Sequence, residues 1–300
     1  MIPFVRDIQF EYGKVDQVSP LIRRVIANNP GPFTFTGTGT YIVGKGDGIA
    51  VIDPGPDMAD HLQAILDATK GERISHIMIT HHHVDHSPLA RPLAEATGAV
   101  IYGCEVKAPI VESAVRTEAG YDRFTPDVPF CGGGTVSGHG WTLEAIATPG
   151  HTSNHICYAL KEENALFSGD HIMGWSTTVV TPPDGDMADY MASLDVIQAR
   201  DFEVLWPTHG SPIREVGPFI DAYREHRHDR TRQIVAQLQS GETRIKDFVP
   251  KMYADTNPRL FPAASQSVLA HIIQLVKSGQ VTCDGAPGLD SEYRLTAKVA

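Results

Sequence analysis

Over its first two thirds the chain strings short apolar runs between turn residues, and from about Gly217 it changes to long helical spacing. Residues 1–53 read as mostly strands, with Phe33 to Val43 rich in Thr, aromatic and β-branched residues. The run Ile49-Ala50-Val51-Ile52 stops at Asp53-Pro54-Gly55-Pro56, a strong turn signal. Met58–Thr69 has helical spacing, with Leu62, Ile65 and Leu66 on one face. Ile74–Ile79 is the next strand, and a helix is expected to start at Ser87-Pro88. Short strands are expected at Val100–Tyr102, Thr142–Ala147, Ile156–Leu160, Ala165–Phe167 and Val204–Trp206, with loops across 103–140. Met187–Gln198 reads as a helix with Asp186 as its N-cap.

The C-terminal third predicts helices at Phe219–Leu238, Ile245–Tyr253 (interrupted by Pro250) and Ser265–Lys277. A hairpin within Gln280–Ala300, turning around Gly285–Gly288, completes a small winged-helix-like unit. The expected division is a catalytic domain over 1–216 and a winged-helix-like domain over 217–300.

The strand ends coincide with the candidate chemistry. Thr80-His81-His82-His83-Val84-Asp85-His86 contains H-x-H-x-D-H, and three islands follow: Pro149-Gly150-His151-Thr152, Ser168-Gly169-Asp170 and Thr208-His209-Gly210. Imidazole and carboxylate are common ligands of divalent first-row metals. His81 and His83, two apart at a strand end, can point the same way, with His151 completing a three-histidine site. Asp85, His86 and His209 make a second site, and Asp170 bridges the two. Such a pair of ions can turn water into hydroxide at neutral pH and polarise the bond it attacks. Asp85 can aim that hydroxide by accepting a hydrogen bond from it. Two Zn²⁺ are expected, and Mn²⁺ or Fe²⁺ suit the same donors.

A length of 300 residues with 42% hydrophobic positions supports a sizeable core. The net charge of −11 disfavours a surface that attracts polyanions overall. Arg224 to Arg232 is locally basic, but a solvated helix face paired with Glu225 and Asp229 is preferred to a phosphate-binding one. Cys104, Cys131, Cys157 and Cys283 form no C-x-x-C pair and read as free thiols in a reducing compartment. No signal peptide or membrane-spanning run is evident, so the expected location is cytoplasmic.

The four islands resemble those of the metallo-β-lactamase superfamily, which implies an α/β fold, an αββα sandwich with metals at one edge. Asn29-Pro30-Gly31-Pro32, Gly37-Thr38-Gly39-Thr40-Tyr41, Phe167-Ser168-Gly169-Asp170, Thr177-Thr178-Val179 and Tyr190-Met191-Ala192-Ser193-Leu194 resemble the β-lactamase-like protein 2 group, which carries a C-terminal winged-helix-like domain. Gly39 stands where that group usually has Asn, and His82 where its best-known member has a bulky aromatic. The bridging Asp170 separates the chain from the antibiotic-destroying enzymes of this fold, which lack it. The resemblance implies a hydrolase acting on an acyl bond (thioester, lactone, lactam or ester). Cleavage of single-stranded RNA is a second reading, and a metal-stabilised binding protein without catalysis a third. A small-molecule substrate is the expected partner, and Thr177, Thr178 and Tyr190 are its candidate contacts. His155 either braces its loop or touches substrate.

Overall fold

A computed structural model describes residues 2–106, 120 and 123–296. The first sheet orders β1 (Val15–Gln17), β2 (Ile22–Ile26), β3 (Gly39–Val43), β4 (Asp47–Ile52), β5 (Arg73–Met78), β6 (Val100–Gly103) and β7 (Val128–Pro129) side by side. Helix α1 (Ala59–Ala68) connects β4 to β5, and α2 (Ala90–Thr97) connects β5 to β6. Both crossovers join parallel strands, the connection for which a helix is the usual solution. The second sheet contains β8 (Thr135–Gly138), β9 (Trp141–Ala147), β10 (Ile156–Leu160), β11 (Ala165–Gly169) and, beyond α3 (Met187–Gln198), β12 (Val204–Pro207), with β12 at one edge beside β11.

Alternation along the strands sorts side chains into layers. On β3, Tyr41 and Val43 face the second sheet, meeting Trp141, Tyr158 and Phe167, whereas Ile42 faces the opposite way, among Ile65 of α1 and Leu93 of α2. On β10, Tyr158 lies between the sheets, while Cys157 and Ala159 join Tyr190, Leu194 and Ile197 of α3. The result is helix, sheet, sheet, helix: an αββα sandwich.

Then follow α4 (Val216–Gln239), α5 (Ile245–Met252), α6 (Phe261–Lys277), β13 (Val281–Cys283) and β14 (Tyr293–Leu295). Phe248 and Val249 of α5, Val268 and Ile272 of α6, and Val281 and Tyr293 of the hairpin form a separate core. Helix α4 serves both cores. Val216, Phe219, Ile220 and Tyr223 bury against the second sheet, and Ile234 and Leu238 enter the C-terminal core.

Several expectations need correction. Residues 33–38 form turns and an isolated bridge between Gly31 and Phe35, so only the second half of the expected Phe33–Val43 strand exists. No regular element precedes Val15 among the described residues. Helix α2 starts at Ala90, and Ser87 belongs to the preceding turn, its hydroxyl shared between the carbonyls of His82 and His83 at 3.2 Å each. The expected loop 103–140 contains β7 and β8, while its positions 107–119, 121 and 122 lie outside the described residues. Pro250 sits inside α5 without ending it.

Cys104 and Cys131 form a disulfide, against the expectation of free thiols. Each follows one of two neighbouring parallel strands, paired at Gly103 and Pro129, which brings their Cα atoms to 4.5 Å although 27 residues separate them in sequence. Cys157 is free and buried, and Cys283 is free and half-buried. No helix among the described residues is long and apolar enough to cross a membrane.

Candidate metal centre

The histidine and aspartate islands converge at one end of the sandwich. His81–His86 follows β5, His151 follows β9, Asp170 directly follows β11 and His209 follows β12. His81 Nε2 lies 2.9 Å from His83 Nδ1, which lies 3.2 Å from His151 Nε2. Donors about 2 Å from a shared tetrahedral ion are about 3.3 Å apart, so these three fit one ion. Asp85 Oδ2 lies 3.1 Å from His209 Nε2 and 3.5 Å from His86 Nε2, a second such group. Asp170 stands between them, with Oδ2 at 3.6 Å from His86 Nε2 and 3.9 Å from His151 Nε2, and Oδ1 at 3.5 Å from His209 Nε2. Among the described residues, His86 Nε2 and Asp170 Oδ1 are buried without a hydrogen-bond partner, and His209 Nε2 has only the Asp85 carboxylate in reach. Buried polar atoms almost always have a partner, so unpaired donors in a ligand cluster fit a cation held among them. The residues form a His/Asp cluster able to hold metal.

Electrostatics agree. Burial, reinforced by neighbouring imidazoles, holds His81 and His83 well below the ordinary histidine range, which keeps them as neutral ligands. Burial also acts to lower His86 and His209, but the carboxylates of Asp85 and Asp170 outweigh it and raise both. Burial pushes Asp85 and Asp170 up, and the adjacent imidazoles overcome it, so both carboxyls stay ionised. The same negative charge attracts a divalent cation.

The ligands are held from behind. The Val179 carbonyl accepts from His151 Nδ1 at 2.6 Å, and the Gly37 carbonyl from His209 Nδ1 at 3.1 Å. His155 braces, as one of its two readings had it: its Nδ1 meets the Thr148 hydroxyl at 2.9 Å, and its Nε2 accepts the Asp170 amide at 3.1 Å. His82 is buried with Nδ1 3.0 Å from Asn154 Oδ1. Gly39 brings the first sheet against the His209 loop, its amide donating to the Thr208 carbonyl at 2.8 Å.

Sequence reasoning missed Asp53, taken there as part of a turn. Its Oδ1 accepts the Thr80 amide at 2.8 Å, and its Oδ2 accepts the hydroxyls of Thr80 at 2.7 Å and Thr208 at 3.0 Å and meets His86 Nδ1 at 2.9 Å. Carboxylate behind imidazole fixes ring orientation and raises ligand basicity. The only sequence signal is an acidic residue at a strand end, ahead of Pro-Gly.

The candidate substrate contacts divide. Tyr190 is fully buried and its hydroxyl donates to the His171 carbonyl at 2.8 Å, so it has no surface to offer a substrate. Thr178 is also buried and donates to the same carbonyl at 2.9 Å, although it lines the same cavity as Thr177, as does Arg227. Thr177 is half-buried and lines a cavity of about 340 Å³, with Trp175, Val179, Arg230 and Tyr253 among its other walls. Tyr190→Phe should therefore leave KM within twofold of the parent while lowering stability by about 1 kcal/mol, the worth of one hydrogen bond. A large rise in KM with stability unchanged would restore Tyr190 to the substrate.

Three of the four arginines of α4 are internally committed. Arg224 pairs with Asp195 at 2.6 Å, Arg232 with Glu225 and Asp229, and Arg230 lies over the Tyr253 ring at 4.4 Å.

The family description "Metallo-beta-lactamase superfamily" matches residues 34–209, and "Beta-lactamase associated winged helix domain" matches 245–288. The chain belongs to the metallo-β-lactamase superfamily. It is a hydrolase of that superfamily, and its C-terminal unit is the associated winged-helix domain. It is 35% identical over 273 residues to a protein described as "Beta-lactamase-like protein 2 homolog" from Caenorhabditis elegans, covering 89% of this chain and 88% of that one. It is 33% identical over 237 residues to an "Atrochrysone carboxyl ACP thioesterase" of Aspergillus fumigatus, covering 76% and 68% respectively. The crystal structure of a β-lactamase domain protein from Burkholderia ambifaria shares the fold, with a TM-score of 0.81 at 20% identity over 98% of this chain and 97% of that one.

Proposed function

We propose that this superfamily member is a dinuclear metal-dependent acyl hydrolase whose best substrates are small thioesters, with lactones, lactams and simple esters as related acyl targets. The observation that carries the reading is the placement of Asp170, with one carboxylate oxygen toward His86 and His151 and the other toward His209. His81, His83 and His151 would hold one ion, and Asp85, His86 and His209 the other. Two Zn²⁺ are the expected occupants, and Mn²⁺ or Fe²⁺ suit the same nitrogen and oxygen donors. Divalent ions bound there would acidify water and polarise the scissile carbonyl.

The chain's own residues supply the rest. The side chain of Asp85 is 19% exposed, against 0% for His86 and His209 and 2% for Asp170. Its carboxylate therefore meets incoming water, accepts a hydrogen bond from it and aims it at the carbonyl carbon. None of the seven candidate ligands lines the 340 Å³ cavity, but Val179, whose carbonyl holds His151 from behind, does, so the cavity would take the acyl or thiol portion of a small substrate that reaches past His151. A relative named as an acyl-carrier thioesterase supports a thioester, while the pairing of Arg224 and Arg232 with carboxylates weakens the case for RNA.

The metal-loaded protein should be offered an acyl thioester, a lactone, a chromogenic β-lactam, bis(p-nitrophenyl) phosphate and labelled single-stranded RNA in parallel. The expected result is thioester hydrolysis at least tenfold faster in kcat/KM than any phosphodiester. Metal-dependent RNA cleavage that falls steeply with salt, together with inert acyl substrates, would replace this reading with a nuclease.

A further inference from the structure

A second cavity, of about 230 Å³, lies where α3, α4 and α6 meet. Met187, Arg227, His271 and Leu275 form its buried walls, and His228 and Gln280 are exposed at its mouth. No carboxylate among the described residues lines it. Its volume suits a tetrahedral oxyanion with a few waters, each of which occupies about 30 Å³ in the liquid.

Arg227 is the unusual wall. It is 3% exposed, yet it forms no ion pair among the described residues. One Nη donates to the Thr178 carbonyl, and the guanidinium lies 5.0 Å over the Tyr190 ring. Neither partner carries a formal charge, and Arg227 Nε has no partner among the described residues. An interior cation without an anion is costly. His271 adds a complementary group. Its Nδ1 lies 3.1 Å from the Thr231 hydroxyl, which itself donates to the Arg227 carbonyl at 3.2 Å. With the hydroxyl proton directed to that carbonyl, His271 Nδ1 would carry the proton between them, and Nε2, buried without a partner among the described residues, would present a lone pair. Burial, with Arg227, His226, Arg230 and His228 nearby, pushes His271 down to about 3, which keeps it neutral.

We infer that this cavity is a binding site for inorganic phosphate or the phosphate of a small monoester. Its anionic oxygens would accept from Arg227, and its P–OH would donate to His271 Nε2. Sulfate, which at neutral pH has no proton to donate, satisfies only the first demand.

The site is joined to the candidate metal cluster by bonds already described. Arg227 holds the Thr178 carbonyl, and the next residue, Val179, orients His151.

Calorimetric titration of the full-length, metal-loaded protein with inorganic phosphate tests the site. His228→Glu and Gln280→Glu place negative charge at the exposed mouth without touching the core. A saturable phosphate event is expected in the parent, at least tenfold weaker in both variants and at least tenfold weaker for sulfate. Unfolding temperatures without phosphate should be unchanged. Phosphate binding equal in parent and variants would assign it to the metal centre and overturn the inference, as would no binding or equal affinity for sulfate.

Discussion

Asp170→Ala should lower turnover by about three orders of magnitude, equivalent to about 4 kcal/mol of barrier, because it removes the carboxylate that the two proposed ion sites would share. The protein should also lose at least one equivalent of bound metal. Elemental analysis after gel filtration and steady-state hydrolysis of the best acyl substrate are the two readouts. The fold should survive: Asp170 belongs to none of the four hydrophobic clusters, and among the described residues its carboxylate meets the imidazoles around it. Undiminished turnover with full metal content would remove Asp170 from the site and with it the dinuclear reading. Collapse of the far-ultraviolet circular dichroism would show that the carboxylate is needed for folding itself.

Asp53→Ala should have the second largest effect, and it is an effect on stability first. The substitution strands the Thr80 amide, the Thr80 and Thr208 hydroxyls and His86 Nδ1 in a site where Asp53 and His86 are 1% and 0% exposed. Orphaning buried partners of a carboxylate costs about 3–5 kcal/mol. Denaturant unfolding should show that loss in the midpoint. Asp53→Asn retains one acceptor oxygen and should recover much of the stability, while metal affinity falls about 10- to 100-fold because His86 loses its ionic brace. A parental midpoint for Asp53→Ala would contradict the role given to these bonds. Competition with a chromophoric chelator separates the two variants, since only an effect on His86 orientation changes affinity when the fold is intact.

Asp53 also shows where the sequence stops speaking. His81, His83, Asp85 and His86 declare themselves because metal donors are concentrated in six residues at a strand end. His151, Asp170 and His209 stand in separate islands that also follow strands, and one sheet edge collects them. Asp53 has the ordinary look of a turn residue. Its importance arises only when β4 lies beside β5 and the loop after β12 comes across from the other sheet. The disulfide was hidden for a related reason: Cys104 and Cys131 become neighbours through the pairing of β6 with β7, a strand of two residues with no periodicity to read. The burial of Tyr190 was not legible, because helical position alone does not say what covers it. Here Gly150 packs so closely that a Cβ there would lie 2.3 Å from the Tyr190 Cα. The αββα layering was more legible, since strands such as Ile156–Leu160 are apolar on both faces and call for cover on each side.

Helix α4 has a consequence for how such a chain can be cut and recombined. Its first turns supply Phe219, Ile220 and Tyr223 to the hydrolase core, and the Tyr223 hydroxyl donates to the carbonyl of Met173 at 2.6 Å, at the start of the loop that carries Thr177 and Val179. A protein ended at residue 216 would expose that core and release the loop. The winged-helix module is therefore not an appendage that can be traded at its own border. Any viable graft between relatives would have to be spliced in mid-helix, between Tyr223 and Ile234, with helical phase preserved across the junction.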